Sequence, residues 1–153
     1  MSTWTRADQT YQASGHWYGK PVDAMEKDIR SGYDQAAAGC PFIKDVIPVG
    51  QSWNRAIDTG FADANPYDGL DAGKVDLWSY DHYHASMYGY YLEALTVFGD
   101  ITGLDPRSLG KGEHCAEELG ISPDQAASME KIAYDELTVD SHRKLTAFGI
   151  GTD

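Results

Sequence analysis

The chain is poor in positive charge, in cysteine and in long apolar runs. Twelve Lys and Arg stand against twenty-four Asp and Glu, a formal net charge of −12 at pH 7. Such a surface repels nucleic acid and anionic membrane, so neither is expected as a partner. Cys40 and Cys115 are the two cysteines, far apart and in no CxxC spacing. Free thiols in a reducing compartment follow, with a single disulfide as the alternative. No window approaches the roughly 18 apolar residues of a membrane span, and Met1-Ser2-Thr3-Trp4-Thr5-Arg6 lacks the pattern of a signal peptide. A soluble, cytoplasmic protein is therefore expected. Internal repeats and low-complexity tracts are also missing. With 153 residues, the chain reads as one domain over 1–153, long enough to bury a core.

The periodicity that is present is mostly helical. Lys20-Pro21-Val22-Asp23 opens a helix whose apolar face is Val22, Met25, Ile29 and Tyr33 (or Gly32), and Gly39 ends it. The apolar run 42–49, with Pro48 near its end, predicts a short strand, and a second strand is expected in the first dozen residues. Ser52 can cap a short helix carrying Trp53, Ala56 and Ile57 and stopping at Gly60. Residues 61–74, rich in Asp, Gly, Asn and Pro, predict a long loop. The strongest helix runs from near Ser86 to Thr102. Its stripe of Tyr88, Tyr91, Leu92, Leu95, Phe98 and Thr102 and a second set of Met87, Tyr90, Ala94, Val97 and Ile101 predict burial on more than one side. Ser122-Pro123-Asp124-Gln125 reads as a capping box before a last helix bearing Ala126, Met129, Ile132, Ala133 and Leu137.

The segment richest in chemistry is Asp81-His82-Tyr83-His84-Ala85-Ser86. A carboxylate three residues before an imidazole can orient it, which is the base-plus-orienter half of a hydrolytic triad. His82 and His84 together also resemble a metal grip. His16, Asp81 or Asp76 could supply further ligands, with zinc as the metal suited to imidazole and carboxylate. A metal-bound hydroxide would remove the need for a serine nucleophile. Gly50-Gln51-Ser52 has the glycine spacing of a nucleophile elbow, although a helix-cap role for Ser52 is clearly preferred. Tyr80, Tyr83, Tyr88, Tyr90 and Tyr91 crowd the same region, as packing residues or as the wall of an apolar ester pocket.

The Asp81-x-x-His84 block, set between Lys74-Val75-Asp76-Leu77-Trp78 and the tyrosine-rich helix, resembles the C-terminal part of an SGNH (GDSL-type) hydrolase. The resemblance runs from Gly15-His16-Trp17-Tyr18-Gly19-Lys20-Pro21 to Gly120-Ile121-Ser122-Pro123. It implies a helix-dominated α/β fold, a truncated three-layer flavodoxin-like architecture keeping a small parallel sheet. It also implies that His84 is the general base and Asp81 its partner. The chain departs from that pattern in having no Gly-Asp-Ser block. Its two asparagines, Asn54 and Asn65, lie in no Gly-x-Asn context. The expected function is hydrolysis of carboxylic or phosphoric esters, with water or a metal-bound hydroxide as nucleophile. The alternatives are a serine esterase completed by another polypeptide and a non-catalytic, self-associating remnant. An unpaired strand edge left by the absent strands would favour a homodimer.

Overall fold

A computed structural model describes residues 1–147. Six α-helices follow one another: α1 (Ala7–Tyr11), α2 (Ala24–Ala38), α3 (Val49–Asp58), α4 (Met87–Thr102), α5 (His114–Glu118) and α6 (Pro123–Asp135). A 3₁₀ turn covers Pro106–Ser108, and a π turn, Glu136–Asp140, continues from α6. Local sequence accounts for the helix ends. Ser86 caps α4 by accepting from the Gly89 N–H, and Gly103 closes it in the left-handed region at φ 69°. Ser122 and Gln125 form the reciprocal capping box of α6, with Pro123 in its first turn.

The packing unit is α4 laid against α3 and α6. Leu77, Trp78, Leu92, Leu95, Trp53, Ala56, Met129 and Ala133 fill the space between them. Trp53 stacks flat on Trp4 at 4.8 Å between ring centroids and meets Trp78 edge-on at 5.6 Å. The Trp78 indole N–H donates to the Thr5 carbonyl at 2.8 Å, so the buried ring brings its polar atom to a partner. α4 buries Tyr91, Leu92, Leu95 and Thr96, whereas Met87, Tyr90 and Ile101 face outward, so one side of it is exposed.

The α/β architecture expected from the resemblance is not what forms. Among the described residues the only β pairing is four isolated bridges: Ser2 with Pro48, Ala62 with Val75, Trp78 with Ala85 and Leu104 with Thr146. The expected parallel sheet is absent, and two local causes prevent a strand over 42–49. Pro48 offers no N–H to a ladder, and Phe42, 88% exposed, with Ile43 lies outside the core. Only the second half of the run, Val46, Pro48 and Val49, is buried, and Val49 already belongs to α3. In the first dozen residues the chain turns into α1 after the single contact at Ser2. The homodimer argument from an unpaired strand edge has no such edge to rest on among the described residues.

The loop over 61–74 is tied down from inside. Asp63 is buried and accepts from the N–H groups of Asn65 at 3.0 Å and Asp71 at 2.7 Å. Burial alone would raise this carboxyl, but those donors outweigh it and hold it below its ordinary value. The Tyr11 hydroxyl donates to the Ala64 carbonyl at 2.7 Å and fastens the loop to α1.

Candidate functional site

The entry to α4 is a tight hairpin. Trp78 bridges Ala85, the Ser79 N–H donates to the His84 carbonyl at 2.7 Å, and the Ser86 N–H donates to the Leu77 carbonyl at 2.8 Å. Four residues must turn between these contacts, and His82 absorbs the turn in the left-handed region at φ 55°. Asp81 organises the tip. Its Oδ1 accepts from the N–H groups of Tyr83 at 3.1 Å and His84 at 2.9 Å, an aspartate turn closed on its own backbone. Its Oδ2 lies 2.6 Å from His84 Nδ1.

The electrostatic consequence is direct. The His84 ring first, then the two peptide N–H groups, pull the Asp81 carboxyl down to about 2, so it stays an anion throughout the neutral range. An anion on Nδ1 favours the neutral tautomer that carries its proton there, leaving the Nε2 lone pair outward. The His84 side chain is 63% exposed, and Nε2 accepts no hydrogen bond among the described residues. A surface base with its orienter in place is what this geometry supplies.

Around the pair, the Tyr83 ring meets the His84 ring at 4.9 Å. The Tyr83 carbonyl accepts from the Trp4 indole N–H at 3.2 Å, and the Arg6 guanidinium lies 4.3 Å over the Tyr83 ring. Of the other crowded tyrosines, Tyr80 is 93% exposed. Tyr91 is buried with its hydroxyl 3.2 Å from Glu113, and burial pushes that phenol well up. A groove of about 900 Å³ lies elsewhere, between α2 and α3 and the π turn.

The structure does not gather the remaining residues that the sequence singled out. Ser52 is fully buried one turn inside α3, 2.9 Å from the Thr96 hydroxyl, while Pro48 holds the cap position. It is neither a helix cap nor accessible as a nucleophile. Gly50 is required for packing, because a Cβ there would collide with the Thr3 carbonyl oxygen. The His82 ring packs on Tyr67 at 4.3 Å, with Nδ1 buried and without a partner, and its carbonyl accepts from the Asp8 N–H. His16 is exposed and packs on Trp17 at 4.8 Å. Asp76 is spent on the Trp78 N–H at 2.8 Å, and burial raises its carboxyl. Among the described residues no three His, Cys, Asp or Glu side chains converge to hold a metal, so His16, Asp81, His82 and His84 do not form one ligand set. Arg6 escaped the sequence reading, because nothing in a sequence pairs it with Tyr83, many positions away.

No protein family matches the chain, and no curated protein or solved structure is similar to it. No helix among the described residues is long and apolar enough to cross a membrane.

Proposed function

We propose that this chain is a hydrolase of ester-type bonds, carboxylic or phosphoric, in which His84 is the general base and Asp81 its orienting partner. The observation that carries the reading is the 2.6 Å contact between Asp81 Oδ2 and His84 Nδ1, with Oδ1 locked by two peptide N–H groups. His84 Nε2 takes a proton from the nucleophile as it attacks, and the Asp81 anion stabilises the imidazolium that forms. Water is the nucleophile this arrangement can activate unaided. The burial of Ser52 favours one further reading, in which a serine supplied by another polypeptide meets Nε2. A zinc-bound hydroxide is the third source of a nucleophile; His84 would then serve as a ligand instead of a base, and the zinc would need further ligands that the described residues do not bring to it.

Nitrophenyl acetate and nitrophenyl phosphate, each assayed with and without chelator, test the proposal. His84→Ala is expected to lower hydrolysis by about 10²–10⁴-fold with an unchanged circular dichroism spectrum. Asp81→Asn costs less, because the imidazole remains while its orientation is lost. A His84→Ala variant at the wild-type rate ends the proposal. Loss of activity in chelator, restored by zinc, assigns the nucleophile to the metal.

A further inference from the structure

The chain has five arginines among its twelve basic residues. Four are matched to carboxylates: Arg30 with Asp34, Arg55 with Glu136, Arg107 with Asp105, and Arg143 with Asp45 and Asp100. Arg6 is the exception. Among the described residues its guanidinium makes no ion pair and donates no hydrogen bond. With acids outnumbering bases two to one, an arginine without an acid is not what composition favours.

Its position is constrained nonetheless. The Arg6 N–H donates to Met25 Sδ at 3.4 Å, and the guanidinium carbon sits 4.3 Å from the Tyr83 ring centroid. That ring is in turn 4.9 Å from the His84 ring, so one aromatic side chain separates the free cation from the base. Tyr83 is fixed through its carbonyl by the Trp4 indole. A guanidinium over an aromatic face keeps its in-plane N–H donors available, and their fork matches the oxygens of a carboxylate or phosphate. The nearest carboxylate on the hairpin, Asp81, is already committed to His84 and two peptide N–H groups.

We propose that Arg6 is an oxyanion-binding residue beside the Asp81–His84 pair, so that the site takes esters carrying a second, anionic group. The ester part of this statement rests on the hydrolase reading above, whereas the anion site stands on its own. Arg6 positions substrate through its anionic substituent and takes no part in proton transfer.

Inorganic phosphate is the first probe, followed through the Trp4 indole N–H resonance in ¹⁵N spectra of the whole chain and assigned with Trp4→Phe. Wild type should show a saturable shift. Arg6→Gln should weaken phosphate binding about tenfold or more, and Arg6→Lys should fall between, keeping charge without the fork. No saturable shift in wild type, or equal affinity in Arg6→Gln, overturns the anion site. The second arm compares kcat/KM for nitrophenyl hemisuccinate and nitrophenyl acetate. Wild type should favour the anionic ester, chiefly through KM, and Arg6→Gln should lose that preference by a similar factor. The same ratio in both proteins overturns the substrate assignment. Arg6-dependent phosphate binding with neither ester hydrolysed removes the hydrolase reading and leaves the anion site standing.

Discussion

Glu26 shows how one residue can couple this fold to pH. Its side chain is 2% exposed, Oε2 accepts from the Asn54 amide at 3.0 Å, and Oε1 has no partner. Burial raises its carboxyl to about 7. Arg30 and Asn54 oppose the rise, while Glu136 on the π turn and Asp23, just before α2, add to it. Folding therefore favours the protonated form. Because the folded value lies above the unfolded one, the native state binds more protons between roughly pH 4.5 and 7, and stability declines as pH rises through that window. Glu26→Gln imitates the protonated group and keeps an oxygen for Asn54. It should melt close to wild type at pH 5 and a few degrees higher at pH 8. A variant less stable than wild type at pH 8 contradicts this account of Glu26. At this scale the sequence was informative where the interaction is local. Asp81 and His84 are three residues apart and do meet. Ser52 misleads, because the glycine before it serves a backbone contact with Thr3 that no local pattern encodes.

Two glycines separate what the helices owe to packing from what they owe to propensity. Gly89 lies buried in the first turn of α4, where a Cβ would strike the Leu77 carbonyl oxygen and the Trp53 ring. Gly32 lies in α2, where a Cβ would meet nothing. Gly89→Ala should destabilise by about 1–3 kcal/mol through overpacking. Gly32→Ala should stabilise by about 0.5–1 kcal/mol, because the exposed turn only loses backbone freedom in the unfolded chain. Urea titration reads both, and shifts of the same sign would refute the assignment. The contrast also explains which elements were legible. α4 and α6 carry their own caps and form close to where the pattern puts them; α2 forms there too, but of its expected apolar face only Met25 is buried, beside Glu26, while Tyr33 is exposed. Residues 42–49 have the composition of a strand, but no neighbouring strand forms to pair with them, and pairing is not a property of eight residues. α5 is too short to announce itself by periodicity, and Glu113 caps it by accepting from the Cys115 and Ala116 N–H groups.

Across the whole molecule, the end of the described chain closes the fold. Thr146 donates its N–H to the Gly103 carbonyl at 2.9 Å, and its own carbonyl accepts from the Asp105 N–H at 2.7 Å. Arg143 joins three distant stretches: its N–H donates to the Leu137 carbonyl, and its guanidinium pairs with Asp45 and, at 2.7 Å, with Asp100. None of this was legible in the sequence, since contacts between position 143 and positions 45 and 100 carry no local signature. The Asp100 side chain is 8% exposed and burial raises its carboxyl; the N-terminal ammonium opposes that rise, and the Arg143 guanidinium lies 2.7 Å from Oδ1. Arg143→Ala should cost about 1–3 kcal/mol near neutral pH, most of it from taking the guanidinium away from the charged, buried Asp100 and leaving it the N-terminal ammonium alone. Asp100→Asn removes that charge, so the double variant should be less destabilised than the sum of the singles by about 1 kcal/mol. The sign with pH follows from the same cause. A raised carboxyl protonates early as pH falls, so the cost of Arg143→Ala should shrink on acidification. Denaturation of the four proteins at pH 7 and pH 4 measures both effects. Additive costs at pH 7, or a cost of Arg143→Ala that grows at pH 4, would show that the Asp45 contact or the arginine stem holds the segment instead of the buried pair.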